Sequence, residues 1–385
     1  MSATLPIPIS PAVLAWARQE SGYTPERVAE RLQVKAERVF EWEQGQRPPT
    51  FRQVESLARF YHRPLSLFFQ TTLPSVTPLA AEYRRLPDVT QGKESPELRL
   101  AVRTMSHRRE TMLELLGELG GSVPDFKLSA RLDESPKDVG ARLRTALAFD
   151  LETQLTLPNE WHAWTGWRTA VEKLGVLVFQ FPKVPLTEAR GMSLLHFPLP
   201  VAGVNSKEIP EARIYTLVHE VVHLMLALGK EEVPAAHEHR SDADWKNVER
   251  FAEEAASHAL VPEEALEQVI SNAHLPQHNW NIGDVQTLAR RFKISALAMA
   301  TRLRASGVFT WKKYRDWHAR WEAWVATLPA RKGGFAHPAS NTVSRAGRPF
   351  VTTVLEALAA NRIDSVAAAR HLDLKFEHFE KQHRN

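Results

Sequence analysis

The sequence predicts an α+β protein that is mostly helical, with an N-terminal helix-turn-helix bundle, a central unit in which a small sheet backs a helix, and a C-terminal helical region. Three observations predict it. Apolar residues recur at helical spacing over most of the 385 residues. The period changes to short β-rich runs only between residues 175 and 205. Stretches rich in Pro, Thr, Ser and Gly interrupt the pattern. One core rarely grows beyond about 250 residues. Several units are therefore expected: a bundle over 1–70, a linker over 71–96, a central domain over 97–330 and a helical segment over 331–385.

In the first unit, TPERVAERL has Thr24 as a cap, Pro25 at the first helical position and Val28, Ala29 and Leu32 on one face. AERVFEWEQG is a second helix stopped by Gly45, and RPPTFRQVESLARFYHR opens another after a Pro-Pro stop. Two short helices around a tight turn read as a helix-turn-helix, with Phe40 and Trp42 in its core. TTLPSVTPLAAEYRRLPDVTQGKESP then reads as a linker. Long helical patterns follow from Pro96 to about Gly120, Lys137 to Ala148 and Trp161 to Leu174. GVLVFQF is a strand, and RGMSLLHFPLPVAGVNS holds one or two more, directly before a helix ending at Gly229. Beyond residue 245 the pattern is again helical, except for a Gly-, Ser-, Pro- and Arg-rich stretch from Arg331 to Arg348 that reads as a loop. Ala29-Leu32-Val34, Ala289-Phe292-Ile294 and Ala369-Leu372-Leu374 share a spacing too short to establish duplication.

Hydrophobic residues make up 43% and charged residues 24%, as in ordinary soluble proteins. The longest apolar run, Val221 to Leu228, is broken by His223, so no membrane partner is expected. The first twenty residues show no charged start followed by an apolar core, so no signal peptide is expected. Zero cysteines exclude disulfides and thiolate metal ligands and fit a cytoplasmic location. Any metal must be held by nitrogen and oxygen. The net charge of +4 is too small to establish a polyanionic partner.

The chemistry concentrates in YTLVHEVVHLMLALG. Residues four apart sit one turn above one another, so His219 and His223 can direct ring nitrogens at one point about 2 Å from each. Glu220 lies about 100° round the helix, where it can face a metal-bound water without joining the ligands. A catalytic zinc wants a third protein donor. VERFAEEAASHALVP supplies a candidate, because Val248, Phe251, Ala252, Ala255, Ala256 and Ala259 make a small-residue face that can pack closely on the first helix. Glu249 adjoins that face as the expected ligand, and Glu253 is expected to hold a histidine N–H. His237, His239, Asp242 and His258 are rival donors.

These residues resemble the ImmA/IrrE metallopeptidases. RIYTLVHEVVHLML is similar to that family's Arg-x-Phe-Thr-Leu-Ala-His-Glu-x-x-His segment, with Tyr215 and Val218 as conservative departures. LPVAGVNS resembles the strand ending in asparagine that precedes it, VERFAEEAASHALVP the downstream glutamate helix, and AAEYRRLPD the linker. Val222 stands where the family has a small residue, and Glu253 where it has asparagine. The N-terminal unit resembles the XRE-type helix-turn-helix of Cro and lambda-type repressors, with AERVFEWEQG at the recognition position. The resemblance implies a zincin-like core binding Zn2+ through His219, His223 and Glu249, with Glu220 as general base. It also implies a protein substrate, a repressor whose cleavage releases stress, phage or mobile-element genes.

Tyr215, Arg213, His237 and His239 are candidates to stabilise an oxyanion, and the sequence does not choose among them. An extended substrate could pair with the edge of the small sheet. For DNA, the expected contacts are Lys35, Arg38, Gln44, Arg47 and Arg52, against which stand the carboxylates of Glu37, Glu41 and Glu43. The expected function is thus a zinc metalloendopeptidase in transcriptional or stress regulation. Its rivals are a DNA-binding regulator or a toxin-antitoxin component with an inactive, peptidase-like sensor. Oligomerisation stays open.

Overall fold

The computed structural model describes residues 9–74, 78–87, 89–272, 280–329 and 338–374. The chain opens with α1 (Pro11–Glu20), α2 (Pro25–Leu32), α3 (Ala36–Glu43) and α4 (Phe51–Phe60). Ser10, Thr24 and Thr50 each accept a backbone N–H in the first turn of α1, α2 and α4, caps worth about 1 kcal/mol apiece. Val28, Val39, Trp42, Val54, Leu57 and Phe68 meet in a core of their own. Phe40 departs from expectation. It is 44% exposed, because α3 turns Val39 and Trp42 inward and residue 40 lies about 100° round from Val39.

The middle of the chain builds α5 (Pro96–Glu118), α6 (Pro136–Leu147), α7 (Leu151–Thr156) and α8 (Glu160–Lys173), then β1 (Leu177–Phe181), β2 (Gly191–Leu194) and β3 (Val201–Asn205). The strand order is β1-β3-β2, with β1 parallel and β2 antiparallel to β3. All strand residues are buried because both faces are covered, which is why the runs read as continuously apolar. Leu177, Phe179 and Val201 face α5 through Leu98, Val102 and Met105. Val178, Ala202 and Val204 face the opposite core.

That core is centred on α9 (Pro210–Leu228), which carries both histidines and is buried nearly all round. α10 (Asp242–Leu260) packs across α9 and α6, and α11 (Glu263–Asn272), α12 (Ile282–Arg291), α13 (Ala296–Ala305) and α14 (Trp311–Ala326) extend the helical layer. Finally α15 (Pro338–Ala346), α16 (Arg348–Ala359) and α17 (Ser365–His371) close over the outer face of the sheet. α15 corrects the loop expected at 331–348, of which 331–337 fall outside the described residues. Tertiary contact holds it: Ser344 O accepts from Gln180 at 2.8 Å and from Arg168 at 2.7 Å. The supposed linker is not a free tether either, since Tyr83 and Arg84 are only 1% and 2% exposed.

The three similar sequence spacings have a shared backbone cause. Val34 N–H donates to Ala29 O, Ile294 to Ala289 and Leu374 to Ala369, at 2.9 to 3.1 Å. In each, the residue before the donor, Gln33, Lys293 or Asp373, is left-handed. This is the ordinary helix C-cap with its apolar contact, which needs no duplication to arise three times.

α6 and α10 approach so closely at Gly140 that a Cβ there would lie 2.5 Å from Ala255 O and 2.9 Å from Ala259 N. Alanine gains up to about 1 kcal/mol in helix propensity, but overpacking costs typically 1–3 kcal/mol. Gly140→Ala is therefore expected to lose up to about 2 kcal/mol in denaturant unfolding. A gain in stability would contradict the close crossing.

Candidate metal centre

α9 and α10 bring three donors from the two helices to one point. His219 Nε2 lies 3.0 Å from His223 Nε2, and Glu249 Oε2 lies 3.3 Å from the first and 3.7 Å from the second. Donors placed tetrahedrally about zinc at their usual bond lengths are about 3.4 Å apart. Among the described residues, these three make the one cluster of three or more His, Asp or Glu donors with such proximity. The donor set therefore fits a divalent ion with a preference for nitrogen and oxygen.

The support behind His223 sharpens the fit. Glu232 places Oε1 2.8 Å and Oε2 3.0 Å from its Nδ1, fixing that nitrogen as the donor and aiming Nε2 at the cluster. Burial and Arg84 both oppose a charge on this ring, yet Glu232 and Glu249 overcome them and raise its pKa to about 9. Burial also works to raise the Glu220 and Glu249 carboxyls. The charge of Arg84, with that of the histidines, prevails and holds both below the usual carboxylate range.

Glu220 is fully buried beside the cluster. Its Oε2 accepts from Ser193 Oγ on β2 at 2.6 Å. Gly191 makes this approach possible: a Cβ there would lie 2.5 Å from Thr216 Cγ2 and 2.7 Å from Glu220 Oε1. The remaining partner is Arg84, whose Nε and Nη2 each lie 3.1 Å from one oxygen of Glu220, while Nη1 lies 2.7 Å from Glu249 Oε1. Sequence reasoning missed both Arg84 and Glu232. Each sits in a non-periodic segment, and the signal that could have found Arg84 was the family resemblance of AAEYRRLPD.

The other expected residues lie elsewhere. Glu253 does not hold a histidine N–H. It accepts from Arg304 at 3.1 Å, and His219 Nδ1 finds no partner among the described residues. Tyr215 stacks on the His219 ring with centroids 6.1 Å apart, but its hydroxyl engages Thr301. Arg213 is spent on Gln180, Ser206 O and Glu208 O, tying α9 to the sheet. His237 and His239 are exposed, Asp242 pairs with Arg85, and His258 pairs with Glu263 at 3.8 Å. A groove of about 940 Å³ opens beside Glu249 and Glu253, walled by residues 83, 85–87 and 89–91 on one side and the start of α10 on the other.

In the bundle, Lys35, Gln44, Arg47 and Arg52 are exposed, as phosphate or base contacts require. Arg38 pairs with Glu41 at 2.7 Å and Glu43 is held by Arg18 at 2.6 Å, so two of the three recognition-helix carboxylates are neutralised internally.

Residues 12–67 match the family model of a helix-turn-helix domain, and residues 171–304 match that of the IrrE N-terminal-like domain, a peptidase family. The chain thus carries a region similar to a helix-turn-helix domain ahead of a region similar to an IrrE N-terminal-like domain. The second match spans the sheet, α9, α10 and the three clustered donors. No curated protein matches the chain. Among the described residues, no helix is long and apolar enough to cross a membrane.

Carboxylates that orient metal-bound histidines typically contribute 10- to 100-fold to affinity. Glu232→Gln is expected to weaken zinc binding by about tenfold or more, measured by competition with a chromophoric chelator. An unchanged affinity would remove Glu232 from the account.

Proposed function

We propose that this protein is a zinc-dependent endopeptidase in transcriptional or stress regulation, cutting a repressor protein and addressing DNA through its N-terminal domain. The observation that carries the reading is the triangle of His219, His223 and Glu249, with Glu220 one residue from a ligand. The chemistry an ion held there would supply is a bound water with its pKa lowered toward 7 and a polarised peptide carbonyl.

The chain's own residues do the rest. His219, His223 and Glu249 hold the ion, and Glu232 keeps His223 in the ligating tautomer. Glu220 takes the proton of the attacking water on a carboxylate oxygen and passes it to the leaving amide nitrogen. β2 is an edge strand whose Ser193 carbonyl points away from β3 and accepts the Arg84 N–H at 3.1 Å, so an extended substrate can add to this edge once that bond is released. Exposed Lys35, Gln44, Arg47 and Arg52 suit a nucleic acid, and the groove beside Glu249 suits a polypeptide.

One observation favours the rival reading of a DNA-binding regulator with a silent peptidase-like sensor: Arg84 occupies both Glu220 and Glu249. Incubating full-length chain with its co-encoded repressor separates the two. The endopeptidase reading expects Glu220→Gln to keep about one zinc per chain and lose cleavage by roughly 10²- to 10⁴-fold, and Glu249→Ala to lose the zinc. Equal cleavage by wild type and Glu220→Gln would reject the mechanism.

A further inference from the structure

We propose that the segment around Tyr83 and Arg84 is an autoinhibitory strap that holds the catalytic cleft closed and must leave before a substrate can enter. The inference rests on the endopeptidase reading and concerns the regulation of the same site.

The backbone evidence is at β2. Residues 190 and 205 exchange a bond across β2 and β3, since Asn205 N–H donates to Arg190 O at 2.8 Å. By alternation, Ser193 turns its carbonyl to the free edge. That carbonyl accepts the Arg84 N–H at 3.1 Å, and Tyr83 O accepts the Ala235 N–H at 2.8 Å on the other side. Arg84 also forms a bridge with Pro234. The strap thus fills the edge that an extended substrate would use.

The side chain completes the block. The guanidinium sits at 2% exposure against both oxygens of Glu220 and one oxygen of Glu249. The carboxylate needed as a base already accepts two charge-assisted bonds, and a fixed cation faces the place where a divalent ion would bind.

The strap is tied to the N-terminal domain. Tyr83 donates its hydroxyl to Glu94 Oε1 at 2.7 Å, and Arg99 Nη2 holds Glu94 Oε2 at 2.7 Å. The turn between α1 and α2 rests on this pair: a Cβ on Gly22 would lie 2.8 Å from Arg99 Cδ and 3.4 Å from Glu94 O. A partner that lifts the helix-turn-helix from α5 therefore loosens the anchor of the strap.

Linkage sets the test. If docked Arg84 opposes the ion, zinc must oppose docking by the same factor. Zinc affinity is measured by chelator competition on full-length wild type, Arg84→Ala and Tyr83→Phe, and trypsin cleavage after Arg84 or Arg85 is followed in wild type and Tyr83→Phe with and without zinc. Arg84→Ala is expected to bind zinc about tenfold tighter. Tyr83→Phe touches neither carboxylate and removes one hydrogen bond, so it should tighten zinc by up to about fivefold and speed nicking by a similar factor. Saturating zinc should also speed nicking of the wild type. The strap is overturned by unchanged or weaker zinc binding in both variants, or by zinc that leaves nicking unchanged or slows it. If Arg84→Ala does not fold, Tyr83→Phe decides alone. A wild type and variants that all fail to bind zinc would instead sink the endopeptidase reading.

Discussion

The close crossing of α9 and α10 is the constraint from which the rest follows, because three donors on two helices reach one point only if the helix axes approach within the length of short side chains. Ala252, Ala255, Ala256 and Ala259 are fully buried along α10, and Gly140 admits α6 against its other side. Large residues at these positions would move Glu249 outward, and an ångström or two would separate it from histidines that are now 3.3 and 3.7 Å away. The sheet serves the same end from below. Gly191 lets β2 approach α9, and Ser193 then reaches Glu220.

A buried cluster of carboxylates and histidines carries a large desolvation cost unless its charges are answered. Glu232 answers His223, and Arg84 answers Glu220 and Glu249. The guanidinium lies against Glu220 and against Oε1 of Glu249, while Oε2 of Glu249 is the oxygen nearest the histidines, so a divalent ion held there would meet the guanidinium as a neighbouring like charge. A segment that balances a site in this way can also switch it. The anchor at Glu94 and Arg99 places that switch under the turn between α1 and α2, so that the helix-turn-helix and the domain holding the donor cluster share one mechanical joint.

Much of this was legible in the sequence because its determinants are local. The cap at Thr24, the stop at Gly45, the pair His219 and His223 one turn apart and the alanine face of α10 all announce themselves within a dozen residues. What escaped is held by distant partners. Arg84 meets Glu220 across 136 residues and Glu249 across 165, and no periodicity in this Pro- and Thr-rich stretch foretells its burial. Glu232 lies in a loop without periodicity, and α15 is held in place by distant donors, since Arg168 of α8 and Gln180 of β1 both donate to its Ser344 carbonyl. Phe40 shows the converse: an aromatic residue is apolar enough for a core, but helix phase decides where it points.

X-ray absorption at the zinc edge of the zinc-loaded, full-length chain tests the central claim most directly, since it reads the ion's own neighbours. The account predicts a four-coordinate ion with two imidazole nitrogens and two oxygens at about 2.0–2.1 Å, one oxygen from Glu249 and one from solvent. Zinc with six oxygen neighbours and no imidazole scattering would contradict it, and α9 and α10 would then frame a buried ion-pair cluster with no metal to hold.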